Sequence, residues 1–224
     1  MTGFAMCCLQ NEEGTFNFTP WLWSTGATSY DINNDNGIKA LTLVKDLVDA
    51  GSMSKEVINW TQGDVMNQFI SGNIAMMVNG PWQVPTMREQ APDLNWDVTL
   101  LPKDAEYASC LGGENFGVID GDNVDAALDF LQFATSKDEV ASYIDDFGYI
   151  AARKDVAEGQ FTDDETMQKF TEEMQYAQPR GPHAQWPEIS DALSLAVNES
   201  ITGTSTPADA AAKAQSTIDG ILAE

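Results

Sequence analysis

Apolar positions along the chain switch between the period of a helix and that of a strand. Over residues 37–51, Ile38, Leu41, Val44, Leu47 and Val48 fall on one helical face and Gly51 suits a left-handed cap, which predicts an amphipathic helix. Asp64 as N-cap, Val65, Phe69 and Ile70 on the apolar side and Gly72 as stop predict a second, shorter helix. Residues 74–78 read as a buried strand, broken by Asn79-Gly80-Pro81-Trp82, after which residues 83–90 turn helical despite Pro85. Residues 96–100 and 116–120 alternate like two further strands.

The second half is more helical. Val124, Ala127, Leu128 and Leu131 form one stripe, and Ser136 caps a helix carrying Val140, Ile144 and Phe147; both stripes read as core faces. Thr162 opens an acidic helix through Tyr176, with Asp163, Asp164 and Glu165 on its N-terminal dipole. Pro187 stands in the first turn of a helix that runs to Gly203. Thr206-Pro207-Ala208-Asp209 is an N-cap, a first-position proline and an acidic third residue, opening a last helix with Ala211, Ala214, Ile218 and Leu222 on one side. Helices alternating with short strands, without internal repeats, make an α/β chain.

Composition narrows what such a chain can do. Its 224 residues carry 35 acidic and 11 basic side chains, a net charge of −24 at pH 7, with 43% hydrophobic residues. That is enough apolar material for a core in one or two domains, and a field that repels phosphate backbones and anionic lipid; nucleic acid is excluded as a partner. No apolar stretch approaches the roughly 20 residues of a membrane helix. Residues 1–8 lack the basic start and apolar run of a signal peptide. Cys7, Cys8 and Cys110 are too few and too scattered for a disulfide framework and read as small buried hydrophobes.

Catalytic material is sparse. His183 is the one histidine, and no serine stands in a nucleophile elbow. Residues 31–37 look calcium-like but lack the glycine at position six and the terminal glutamate, so they read as a polar turn. Gly112-Gly113 matches neither phosphate-loop nor dinucleotide fingerprint. Three Asn-X-Ser/Thr triplets are short enough to arise by chance. No cofactor or metal is indicated. A carboxylate pair for glycoside hydrolysis leaves no spacing signature, and Glu114 is the acid that would serve. Tryptophan, by contrast, stands where packing does not ask for it. Trp21 and Trp23 flank Leu22 and point the same way if extended, Trp82 follows Gly-Pro, and Trp186 precedes a helix-starting proline. Flat aromatic rings with amides and carboxylates beside them bind sugars, whose C–H faces are apolar and whose rims are hydroxyls.

The order of segments resembles the extracellular solute-binding proteins of carbohydrate ABC importers, the maltose-binding-protein-like group. The likeness is carried by Gly37-Ile-Lys-Ala-Leu with Asp46-Leu-Val-Asp-Ala-Gly51, and most specifically by Phe69-Ile-Ser-Gly-Asn-Ile-Ala-Met-Met-Val-Asn-Gly-Pro-Trp82. Leu111-Gly-Gly-Glu-Asn-Phe-Gly-Val118, Ala127-Leu-Asp-Phe-Leu-Gln-Phe-Ala-Thr-Ser-Lys-Asp-Glu139, and the Trp186 helix with Thr206-Pro-Ala-Asp-Ala-Ala follow in order. The resemblance implies a type II periplasmic-binding-protein-like fold in which two α/β lobes close on ligand. On that reading the chain is a C-terminal portion: residues 1–109 and 154–224 form most of the second lobe, and residues 110–153 cross to a first lobe that lies mostly upstream. It implies a non-enzymatic substrate-binding component that meets sugar in the interlobe cleft through Trp82 and Trp186, through Gly113, Glu114 and Asn115 of the crossing segment, and less regularly through Trp21 and Trp23. Further implications are permease subunits of the importer as partners, an extracellular or periplasmic place with a lipid anchor, and a monomer when complete, whose fragment is open to self-association. A hydrolase using Glu114, or a binder of another solute on the same scaffold, are the alternatives.

Overall fold

The computed structural model describes residues 1–223. In chain order the elements are α1 (Glu12–Ser24), α2 (Asp35–Asp49), α3 (Gln62–Ile70), α4 (Val84–Gln90), β1 (Ser109–Cys110), α5 (Val124–Ala134), α6 (Lys137–Tyr143), α7 (Lys154–Ala157), α8 (Glu165–Glu173), β2 (Ala177–Gln178), α9 (Trp186–Thr202) and α10 (Pro207–Leu222). The chain forms two compact units, one of Met1–Asn79, Thr99–Leu111 and Glu173–Glu224, the other of Gly80–Val98 and Gly112–Glu172.

The first unit is built on α1, α2, α9 and α10. Phe18 and Leu22 of α1, Leu41 and Val44 of α2, Ile189, Leu193 and Val197 of α9, and Ala211 and Ile218 of α10 share one apolar core. Helices α1 and α2 begin alike. Asn11 and Asn34 are N-caps whose side-chain oxygens accept from the backbone N–H of Gly14 (3.2 Å) and Gly37 (3.0 Å). At each glycine an added Cβ would stand about 2 Å from a carbonyl oxygen five residues back, Leu9 at 1.9 Å and Ile32 at 2.0 Å, so the entering chain folds directly against the first turn. The Asp31 to Gly37 stretch is thus the cap of α2, in keeping with a polar turn. Helix α3 starts at Thr61 and not at Asp64: Thr61 Oγ1 accepts from Asp64 N and Asp64 accepts from Thr61 N, a reciprocal capping box. The last helix opens as its sequence predicts, with Thr206 Oγ1 accepting from Asp209 N at 3.1 Å.

Strand content falls short of expectation. Residues 74–78 pair in parallel with the first residues, through Thr2 with Ile74 and Ala5 with Met77, yet only as isolated bridges. β1 and β2 add one short parallel pair, Ser109 with Ala177 and Cys110 with Gln178. The strands expected at residues 96–100 and 116–120 are absent among the described residues. A strand needs a neighbour's edge to satisfy its backbone, and none adjoins these segments.

The second unit has a small core of Val140, Ala151 and Val156, with Ile144 and Ala157 against it. Arg88 of α4 donates twice to Asp164, both bonds 2.8 Å, and Asp164 in turn accepts from Met167 N at the start of α8. The guanidinium's hydrogen bonds hold the Asp164 carboxyl below its usual range. The expected core faces of α5 and α6 are only partly covered, with Val124, Ala127, Leu131 and Ile144 half-buried. Helix α5 buries no residue, its Leu128 is exposed, and Phe130 and Phe133 are 61% and 58% exposed on the side the stripe did not include. On the second stripe Val140 of α6 is buried, but Phe147, beyond the end of that helix, is exposed.

Candidate functional site

Trp186 is the first residue of α9, half-buried against the core of the first unit. Its indole Nε1 donates to both oxygens of Glu12, at 3.0 and 3.1 Å. Glu12 is the first residue of α1, where its charge also suits the helix N-terminus. The same carboxylate accepts from Arg180 and from the Ser190 hydroxyl. Arg180 follows β2 by two residues and lies over the Phe16 ring, 4.8 Å from its centroid. Ser190 stands one helical turn beyond Trp186, its hydroxyl 2.9 Å from Thr15 Oγ1, and Thr15 donates to the Ser190 carbonyl at 2.8 Å. Tyr30 meets Trp186 edge to face at 6.5 Å and His183 at 6.3 Å. Tyr30 itself is located by α10: Gln215 donates to its carbonyl (3.0 Å) and accepts from Ile32 N (2.8 Å). The result is a half-open indole whose N–H edge is tied down and whose neighbours are aromatic, a surface suited to the apolar face of a ring.

Trp82 belongs to the second unit and is also half-buried. Its ring folds back over Gly80, where any added Cβ would stand 2.1 Å from it, and lies 6.3 Å from Tyr149 at 40°. Tyr149 continues to Phe147 (6.4 Å) and Phe147 to Tyr143 (6.2 Å), a run of rings along the unit. Buried Gly148, at φ +67°, has Pro81 O 2.7 Å from where a Cβ would be, so only glycine lets the chain bring Tyr149 beside Trp82.

The other expected residues are placed differently. Gly113, Glu114 and Asn115 lie in an exposed stretch of the second unit, Gly113 at φ +136°. Trp21 and Trp23 were expected to point the same way on an extended chain; they are on α1, where positions two apart face nearly opposite sides. Trp21 packs edge-on against Phe4 at 5.8 Å, its indole nitrogen buried without a hydrogen-bond partner among the described residues. Trp23 is 7% exposed and donates to Ser29 at 3.1 Å, which leaves its ring in the core and off any ligand surface. Glu12, Arg180 and Tyr30 were not foreseen. Arg180 alone left a trace in the sequence, as one of few cations, set among Pro179, Gly181 and Pro182.

Burial pushes the thiol of Cys7 up to about 12, with Glu13 adding to the rise, and that of Cys110 to about 11; Cys8 is raised further by burial. None is poised as a nucleophile. Among the described residues no group of three or more His, Cys, Asp or Glu is placed to hold a metal, and no helix is long and apolar enough to cross a membrane.

The family model of bacterial extracellular solute-binding proteins matches residues 3–169. A Brucella abortus (strain 2308) protein named only as a binding protein is 26% identical over 211 residues, 89% of this chain and 51% of its own length. Among solved structures, an ABC transporter solute-binding protein from Thermotoga lettingae bound with α-D-tagatose is 25% identical with a TM-score of 0.85, covering 99% of this chain and 60% of that one. Maltose-bound MalE3 of T. maritima (22%, TM-score 0.84, 99% and 61%) and the GacH receptor of Streptomyces glaucescens, solved unliganded and with acarbose (24%, 0.83, 99% and 60%), share the fold. The chain spans about half the length of the curated relatives it matches. The fold is that of part of a type II periplasmic binding protein, and the chain belongs to the bacterial extracellular solute-binding protein family.

Proposed function

We propose that this chain is part of the substrate-binding component of an ABC importer for sugars or oligosaccharides, taking ligand by aromatic stacking and hydrogen bonds and passing it to the permease subunits. The observation that carries the reading is Trp186, half-open, with its N–H edge anchored on Glu12 and Tyr30 at its side. Trp82, seated on Gly80 beside Tyr149, is a second candidate stacking ring, carried by the second unit. Sugars occupy the similar proteins of T. lettingae and T. maritima, which favours the same ligand class here. Gly113, Glu114 and Asn115 supply exposed polar contacts, and residues 110–153 belong with the first lobe. The site is extracellular or periplasmic, held at the membrane by a lipid anchor.

Calorimetric titration of the full-length protein with maltose, D-tagatose, acarbose and longer glucans tests it. Binding without product formation is expected, and Trp82→Ala or Trp186→Ala should each weaken it by about 1–3 kcal/mol with the fold retained. Turnover of any sugar, or wild-type affinity in both variants, overturns the reading.

A further inference from the structure

Resting on that reading, we propose that Glu12 is the positioning residue of the sugar platform, fixing the plane of Trp186 without touching ligand itself. The geometry is one of saturation. A carboxylate offers about four acceptor positions, and four contacts arrive here. Arg180 and one arm of the indole N–H reach Oε1; the other arm and the Ser190 hydroxyl reach Oε2. The donors come from two anchorages: Arg180 from the loop after β2, pinned on Phe16, and Trp186 and Ser190 from successive turns of α9. Glu12 therefore joins the start of α1 to the start of α9 at the indole. An indole on a single χ1–χ2 pair keeps two faces free to rotate; a shared N–H to both carboxylate oxygens leaves one orientation. Although the Glu12 side chain is 46% exposed, it has no acceptor position left for a sugar hydroxyl.

Two measurements on the full-length protein decide it. The indole ¹H–¹⁵N signal of Trp186, assigned by its loss in Trp186→Phe, should shift and broaden in Glu12→Ala, and less in Glu12→Gln, which keeps one acceptor oxygen. This needs no ligand, and circular dichroism confirms that both variants fold. With maltose as probe, Glu12→Ala should lower affinity roughly tenfold, a loss absent when the same change is made in Trp186→Phe. An unmoved indole signal overturns the proposal, as does a Glu12 effect that persists in full without the indole, since Glu12 would then contact sugar directly. If Trp186→Phe leaves maltose affinity untouched while maltose binds, it is the stacking assignment that fails, and the indole signal still judges the tether.

Discussion

At Gly14 the backbone leaves no room for a side chain. An added methyl would stand 1.9 Å from the Leu9 carbonyl oxygen, a backbone atom that cannot rotate away. Gly14→Ala should therefore lower stability by about 1–3 kcal/mol and loosen the turn that carries Glu12. Gly220 is the control: it is helical in α10, exposed, and has nothing within 4 Å, so Gly220→Ala should raise stability by about 0.5 kcal/mol. Urea unfolding of the two variants checks both signs. The cysteines add a pH dependence. Unfolded thiols titrate near 9.0, while Cys7 and Cys110 in the fold are held to about 12 and 11 by burial. Above pH 9 the unfolded chain releases protons that the folded chain keeps, so stability is full below 9 and falls as pH rises toward 11. Unfolding midpoints at pH 8 and pH 10.5 should show the fall, and Cys7→Ala should reduce it.

Helices whose signals are local were legible. The α2 period, the Thr206 to Asp209 cap and the Pro187 start all describe contacts within a few residues, and the structure places them as read. Thr61 and Asp64 show the limit of such reading. A capping box is nearly symmetric in its letters, and choosing Asp64 as the cap moved the start of α3 by three residues. What depended on distant partners was not legible. Residues 96–100 and 116–120 alternate as strands do, but pairing is decided by another segment's edge. The helix of Trp21 and Trp23 is settled by burial of Phe18 and Leu22 against α9, about 170 residues away, and in the core despite Pro20. Glu12 joins residues 168 to 178 positions apart in sequence, and no spacing rule reaches that far. Helix α5 carries its own consequence. It buries no residue, whereas α2 buries Gly37, Ala40, Leu41, Val44 and Val48. In hydrogen exchange on this chain, α5 amides should exchange on the order of a hundredfold faster than those of α2. Equal protection would mean that the second unit is complete as it stands, and residues 110–153 would need no first lobe to cover them.

For the molecule as a whole, acidity and discontinuity matter more than any one contact. A net charge of −24 keeps the surface polar and away from nucleic acid, and Arg180 and Arg88 are both spent on internal pairs with Glu12 and Asp164. The first unit is assembled from three separate stretches, Met1–Asn79, Thr99–Leu111 and Glu173–Glu224. That arrangement governs the order of events on the ribosome. Phe18 and Leu22 are made about 170 residues before Ile189 and Leu193 of α9, with which they share the core. At roughly 5–20 residues per second, α1 waits on the order of ten seconds or more for its covering helices. During that interval the nascent chain holds an unfinished core that a chaperone can recognise and that cannot close before α9 has been made.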